Sequence, residues 1–249
     1  MVHFVGAGCG APDLITVRGA ELLKRAEVVI YAGSLVNPAL LGLCPEGSKV
    51  YNSAEMTLEE VFSVMKENET REIVRLHTGD TSVYSAVREQ IDLLDAAGIP
   101  WDITPGVSSF GGAAAVLGGE YTLPGISQSV IITRMAGRTP VPERESIASL
   151  ASHGATMVIF LSAGMLEALE AELLKGAYTE ETPAAIVYKA SWPEEKVVRC
   201  PLGKLAEAGK MAGIRKTALI VVGDFLGQTY ERSRLYDPAF STEFREAQK

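Results

Sequence analysis

Three stretches of this 249-residue sequence set small and polar residues where an apolar run gives way to a turn. The first is Gly6-Ala7-Gly8-Cys9-Gly10, directly after the apolar residues 2–5. Glycines at that spacing let a backbone come close to a phosphate or a nucleotide, and they equally make a tight turn with no ligand. A dinucleotide site fits less well. The pattern is not Gly-x-Gly-x-x-Gly, Pro12-Asp13 separates the glycines from the next helix, and the second apolar run ends in Tyr31-Ala32-Gly33 with no acid for a ribose hydroxyl. The second stretch is Thr78-Gly79-Asp80-Thr81-Ser82-Val83-Tyr84, where Asp80 offers an acceptor to a ligand ammonium. A plain helix cap made by Asp80, Thr81 or Ser82 explains the same residues. The third is Thr104-Pro105-Gly106-Val107-Ser108-Ser109-Phe110-Gly111-Gly112-Ala113-Ala114-Ala115. It runs from a turn into a helix of small residues, which packs closely against either a ligand or a neighbouring sheet.

Other chemistries lack their residues. His3, His77 and His153 have no metal-ligand spacing and read as structural, so no metal is expected. There is no Gly-x-Ser-x-Gly elbow, His-Glu-x-x-His pair or phosphate-binding loop. Cys9, Cys44 and Cys200 lie far apart and form no Cys-x-x-Cys, which points away from a disulfide framework and towards a reducing cytoplasm. The net charge of −8 argues against a nucleic-acid partner, because phosphate neutralisation needs surplus Lys and Arg. No apolar run has the length of a membrane span, and the first residues lack the layout of a signal peptide.

The elements that must position these stretches alternate. Residues 2–5, 28–31, 49–51, 73–77 and 101–104 read as strands, and helices follow at about residue 16, after residue 57 and around Val87, Ile91 and Leu94. Thr57 and Glu60 have the spacing of a capping box. Tyr121-Thr122-Leu123-Pro124-Gly125 punctuates the chain as a linker, giving domains of residues 1–118 and 119–249. In the second, strands are expected at 129–133, 157–161, 185–188, 196–200 and 218–222, and helices at 143–151, 166–174 and 202–211. Alternation implies an α/β fold with two α/β domains and largely parallel sheets, the second made mixed by a hairpin around Pro193-Glu194-Glu195.

In this order and spacing the three stretches resemble the tetrapyrrole methylase family, the class III S-adenosylmethionine methyltransferases. Ala185-Ile186-Val187-Tyr188-Lys189-Ala190-Ser191 and Thr217-Ala218-Leu219-Ile220-Val221-Val222-Gly223 extend the match over nearly the whole chain. Gly33-Ser34-Leu35-Val36, Gln128-Ser129-Val130-Ile131-Ile132-Thr133-Arg134, Gly137-Arg138-Thr139-Pro140 and Ala190-Ser191-Trp192-Pro193 look like the branch that methylates precorrins on the way to the corrin ring. The resemblance implies S-adenosylmethionine in a cleft between two α/β domains, a tetrapyrrole substrate and a homodimer. It carries cofactor contacts onto Cys9, Gly79, Asp80, Val83, Tyr84, Ser108, Ser109, Leu161, Ser162, Ala190 and Thr217. It places Ser34, Ser53, Met56, Arg134 and Arg138 as substrate candidates, the arginines for tetrapyrrole carboxylates, although exposed arginines also serve solubility.

Two departures bear on the chemistry. The family's first loop reads Gly-Pro-Gly-Asp, and here Cys9 and Ala11 replace the proline and the aspartate. Sirohaem-forming relatives carry an acid where this chain has Ala32, so a proton-accepting role does not transfer and uroporphyrinogen becomes the weaker substrate. No catalytic residue is assigned, because alignment of an already electrophilic methyl group is the larger requirement. Another methylase of the same fold with a diphthine-type protein substrate, and a nicotinamide oxidoreductase, remain as alternatives.

Overall fold

The computed structural model describes residues 1–248, the side chain of Ser34 excepted. The chain divides into two compact units, residues 1–112 with 189–193, and residues 113–188 with 194–249.

In the first unit, β1 (Val2–Gly6), β2 (Val28–Tyr31), β3 (Lys49–Asn52), β4 (Ile73–His77) and β5 (Trp101–Thr104) form one sheet in the order β3-β2-β4-β1-β5. Every pairing is parallel. Such a sheet is covered on both faces, so its inner strands read as continuous apolar runs, and β1 is buried along its whole length. Alternate side chains feed two cores. Val2, Phe4, Ile30 and Ile73 pack with Val61 and Met65 of α2 (Leu58–Glu67) and Ile91 and Leu94 of α3 (Val87–Ala97). Val5, Val29, Val74 and Leu76 pack with Leu22 and Leu23 of α1 (Val17–Leu23). Each fully buried aliphatic or aromatic side chain contributes about 1.5–3 kcal/mol. Thr57 and Glu60 form the expected capping box at the start of α2. Away from the strands' carboxyl ends, the buried His3 ring lies 2.8 Å from Asp102 Oδ1 and 2.7 Å from Glu72 Oε2, a contact that ties the starts of β1, β4 and β5 together.

The second unit carries β6 (Val130–Arg134), β7 (Thr156–Phe160), β8 (Pro183–Tyr188), β9 (Lys196–Pro201) and β10 (Ala218–Val222), ordered β6-β7-β10-β8-β9. This sheet is mixed. Only β6 and β7 run parallel, because β10 enters antiparallel between β7 and β8, and β8 turns directly into β9. The expected hairpin is that β8–β9 pair. A single core gathers Met157, Ile159, Ile186 and Ile220 beneath α5 (Ile147–Ala151), α6 (Leu166–Leu173) and α7 (Leu205–Met211). Two stretches read as single helices are each a 3-10 turn followed by a shorter α-helix. Ser146 takes an extended conformation (φ −59°, ψ 150°) and caps α5 through Ser149 N–H, which stops the helix from starting at Glu143. Lys204 (φ −121°, ψ 8°) interrupts the other in the same way. The strand read as 157–161 stops at Phe160, because Leu161 turns to φ +53°. No helix among the described residues is long and apolar enough to cross a membrane.

Candidate functional site

The three neighbouring strands β4, β1 and β5 end side by side, and the three stretches singled out from sequence are the loops that leave them. Their backbones meet without side chains between them. Gly8 N–H donates to Gly79 O at 3.1 Å and Gly79 N–H donates to Gly8 O at 3.0 Å, so the first two loops are stitched together. A Cβ on Gly6 would lie 2.6 Å from Gly106 Cα, and one on Gly106 would lie 2.1 Å from Gly79 O. Both opposing atoms are backbone, so glycine is a requirement at these two positions. Gly8 (φ +84°) and Gly79 (φ +63°) also need the left-handed region.

Asp80 joins the second loop to the third. Its Oδ2 accepts Gly106 N–H at 2.8 Å, while Oδ1 accepts Ser82 N–H at 2.9 Å and the Ser82 hydroxyl. Burial pulls this carboxyl up, but hydrogen bonds from Ser82, Gly106 and Thr81 together hold it below the usual carboxylate range. The helix-cap reading of Asp80, Thr81 and Ser82 is overturned. α3 begins only at Val87, behind Ala86 in left-handed conformation with no side-chain cap. The carboxylate closes its own turn and the neighbouring one, and an ionised carboxylate has further lone pairs for a ligand donor.

The floor below is polar where a core would be apolar. Arg75 is buried, donating from Nε to Gln90 Oε1 at 2.9 Å and from Nη1 to Ile30 O at 3.2 Å. Gln90 in turn donates to Ala86 O at 2.9 Å, so Arg75 braces the loop that carries Val83 and Tyr84. His77 is also buried, 5.9 Å from the Phe4 ring, and its Nε2 has no partner among the described residues. Burial, with the Arg75 charge beside it, pushes His77 down to about 3, so the ring is neutral.

The structure brings six of the cofactor candidates, Cys9, Gly79, Asp80, Ser108, Ser109 and Ala190, together in the first unit. A Cβ on Gly79 would stand 3.4 Å from Ser109 N, and Ser109 opens α4 (Ser109–Leu117), whose first N–H groups lack partners inside the helix. Cys9 is buried with Sγ 3.4 Å from Ser191 Oγ, next to the buried Ala190. Val83 and Tyr84 lie on the loop after Asp80, Tyr84 about half exposed. Leu161, Ser162 and Thr217 belong to the second unit, where the register pairing Ile220 with Ile159 puts them side by side, just past the end of β7 and just before the start of β10. Ser162 is buried and already used, accepting Met135 N–H at 3.0 Å and donating to Phe160 O at 2.7 Å.

Backbone strain marks the same segments. Six described residues other than glycine have positive φ: Tyr84, Ala86, Leu161, Lys189, Ser191 and Thr217. Three are cofactor candidates, two flank Ala190, and Ala86 follows two residues after Tyr84. Such conformations cost about 1–3 kcal/mol each and gather where function demands them.

The substrate candidates are less concentrated. Ser53 donates to Tyr31 O at 3.1 Å and half-buried Met56 packs on the α2/α3 core. Arg134 spends its guanidinium on the carbonyls of Met135, Thr139 and Pro140, bracing that loop. Arg138 is exposed beside it, and the Ser34 side chain lies outside the described residues. Sequence reasoning singled out Gly6 and Gly106 within their loops without showing that they face each other, and it reached Ser191 and Trp192 only through the resemblance. A Cβ on Gly10 would fall 2.3 Å from Trp192 Cδ1, a proximity between residues far apart in the chain that only the fold creates.

Over residues 1–206 the sequence matches the tetrapyrrole (corrin/porphyrin) methylases, and the chain belongs to that family. It is 51% identical over 251 aligned positions to the cobalt-precorrin-4 C(11)-methyltransferase of Methanocaldococcus jannaschii, covering 100% of this chain and 97% of that protein. Among solved structures it is similar to a cobalt precorrin-4 methyltransferase of cobalamin biosynthesis, with a TM-score of 0.89 and 43% identity over 91% of this chain and 96% of that one. It is also similar to the uroporphyrin-III C-methyltransferase of Thermus thermophilus complexed with S-adenosylhomocysteine, with a TM-score of 0.75 and 28% identity over 91% of this chain and 93% of that one.

Proposed function

We propose that this chain transfers a methyl group from S-adenosylmethionine to C-11 of precorrin-4, with or without cobalt in the ring. The observation that carries the reading is the loop cradle, in which the three stretches that resemble the family meet at the ends of β4, β1 and β5. The residues present fit the cofactor. An ionised Asp80 suits an ammonium, helix-start N–H groups at Ser108 and Ser109 suit polar atoms, and the exposed Tyr84 and Val107 offer apolar surface to a base. In this reading Cys9, Gly79, Asp80, Val83, Tyr84, Ser108, Ser109 and Ala190 of the first unit hold the cofactor, as do Leu161, Ser162 and Thr217 of the second.

When bound, S-adenosylmethionine supplies a methyl group on a sulfonium, which is already electrophilic. The chain's part is to hold the two partners in line and exclude water, a contribution of about 7–11 kcal/mol when alignment is good. Neutral His77 lies beneath the cradle and Arg134 is spent on its own loop, so neither stands as an acid or base towards the ring. Exposed Arg138, with Ser34, Ser53 and Met56, is assigned to the tetrapyrrole side. A homodimer and a cytoplasmic setting complete the reading, the latter in keeping with three free cysteines.

The test is incubation with methyl-13C-labelled S-adenosylmethionine and either precorrin-4 or cobalt-precorrin-4, followed by carbon NMR. Label at C-11 is expected from at least one of them. Transfer to another ring carbon, or to neither substrate, would overturn the assignment.

A further inference from the structure

Residues 189–193 leave the second sheet at the end of β8 and return to it at β9, yet they pack as part of the first unit. Lys189 (φ +48°) and Ser191 (φ +65°) both take left-handed backbone around Ala190, and Trp192 N–H closes the turn on Lys189 O at 3.0 Å. This turn presents the Ser191 hydroxyl to the glycine loop. Its Oγ accepts Ala11 N–H at 2.9 Å and lies 3.4 Å from Cys9 Sγ. Two close approaches lock the contact. A Cβ on Gly10 would fall 2.6 Å from Ala190 O, and one on Gly112 would fall 2.7 Å from Cys9 Sγ. Asn37 Nδ2 donates to Gly10 O at 3.0 Å. The far end of the same loop is stitched through Gly8 to Gly79, whose neighbour Asp80 accepts Gly106 N–H.

We propose that Ser191 is a positioning residue for the cofactor, its hydroxyl fixing the glycine loop from Gly8 to Ala11 in the binding conformation. This rests on the reading of the three loops as the cofactor cradle. The backbone supplies the reason. At φ +65° glycine is the unstrained residue, so a serine there is disfavoured unless its side chain returns something. What it returns is an acceptor for Ala11 N–H, at the point where the loop runs into Pro12. A residue that merely closed the turn would need no hydroxyl.

The test separates positioning from folding because one substitution relieves strain while deleting the hydroxyl. Ser191→Gly is expected to melt within about 4 °C of the wild-type temperature, because relief of the left-handed strain offsets the lost bond. Its dissociation constant for S-adenosylhomocysteine, read by isothermal titration, should rise roughly tenfold, about 1.4 kcal/mol. The KM for S-adenosylmethionine should rise with it while kcat changes by less than about twofold, the split expected of lost ground-state binding. Ala11→Pro deletes the donor instead. Ala11 has φ −62° and ψ 135°, which proline accepts, but the ring Cδ takes the place of the N–H and presses on Ser191 Oγ. It should weaken binding at least as much, and the double variant should be no weaker than Ala11→Pro alone, because Ser191→Gly then removes no further bond and relieves that contact. Binding by Ser191→Gly within twofold of wild type, or additive losses in the double variant, would overturn the proposal. Wild-type protein that fails to bind S-adenosylhomocysteine at all would overturn the cradle reading, and the proposal with it.

Discussion

Asp80 shows how one side chain serves the fold and the site together. Its two oxygens already accept from Gly106 N–H and from Ser82, so any ligand donor arrives at a carboxylate that has been aimed and ionised beforehand. Replacing it by asparagine keeps the size and removes the charge, and the amide NH2 then faces an N–H donor on one side. Asp80→Asn is therefore expected to lose about 1–3 kcal/mol of stability in urea denaturation, the range for leaving a part-buried group unsatisfied. Its affinity for S-adenosylhomocysteine should fall as well. Unchanged stability and affinity together would mean that the three loops hold their arrangement without this carboxylate. Asp80 was legible from sequence because its neighbours are turn residues at a strand end. Ser191 and Trp192 were visible only as part of a resemblance, since what they do depends on left-handed backbone at positions where sequence gives no glycine to announce it.

The strands β1, β4 and β5 impose the spacing that the loops then use. All five strands of that sheet were readable: the buried β1, β2 and β4 leave mostly apolar runs, while the more exposed β3 and β5 follow from their place in the alternation. The direction of β10 was not readable, since antiparallel and parallel strands of five apolar residues look alike until their neighbours are known. Glycine spacing at the strand ends gives a sharp expectation. Gly106→Ala sets a Cβ 2.1 Å from Gly79 O, where only backbone can move, so it should cost about 1–3 kcal/mol or more of overpacking. Gly111→Ala, in α4 with nothing within 4 Å, should instead gain up to about 1 kcal/mol from helix propensity. Urea midpoints that move in the same direction for both would contradict the geometry.

β4 makes a second prediction, about pH. His77 in the folded chain is held down to about 3 from an ordinary 6.5, by burial first and the Arg75 charge second. Between those values the unfolded chain takes up a proton that the folded chain refuses. The stability that depends on neutral His77 is thus complete above about pH 6.5 and drains as the pH falls towards 3. In the His77→Leu variant, urea stability measured from pH 7 to 5 should fall less steeply than in the wild type. This window separates it from Glu72, which hydrogen bonding to His3 holds below its ordinary 4.5, so that its contribution is lost only at more acid pH. Equal slopes in the two proteins would show that His77 is protonated inside the fold.

At the scale of the whole molecule, the cradle must show itself as ligand-dependent stability. Anything that binds the folded chain and not the unfolded one stabilises it by RT ln(1 + [L]/Kd), about 2.7 kcal/mol at 100 times Kd. For a chain of this length each kcal/mol moves the melting temperature by about 2–4 °C, so saturating S-adenosylhomocysteine should raise it by about 5–11 °C. Because the chain forms two compact units, heating can produce two transitions, and the shift must then appear at least in the one that unfolds the first unit, which holds Gly79, Asp80 and Ser191. The same experiment judges the competing oxidoreductase reading of the first glycine loop. NAD or NADP at millimolar concentration should leave the melting temperature unmoved, since β2 ends in Tyr31-Ala32-Gly33 with no acid for a ribose and the glycines of the loop are committed to backbone partners at Gly79, Gly106 and Ala190. A shift with the dinucleotide and none with S-adenosylhomocysteine would transfer the loop to nicotinamide chemistry and dismantle the methyltransferase reading at its base.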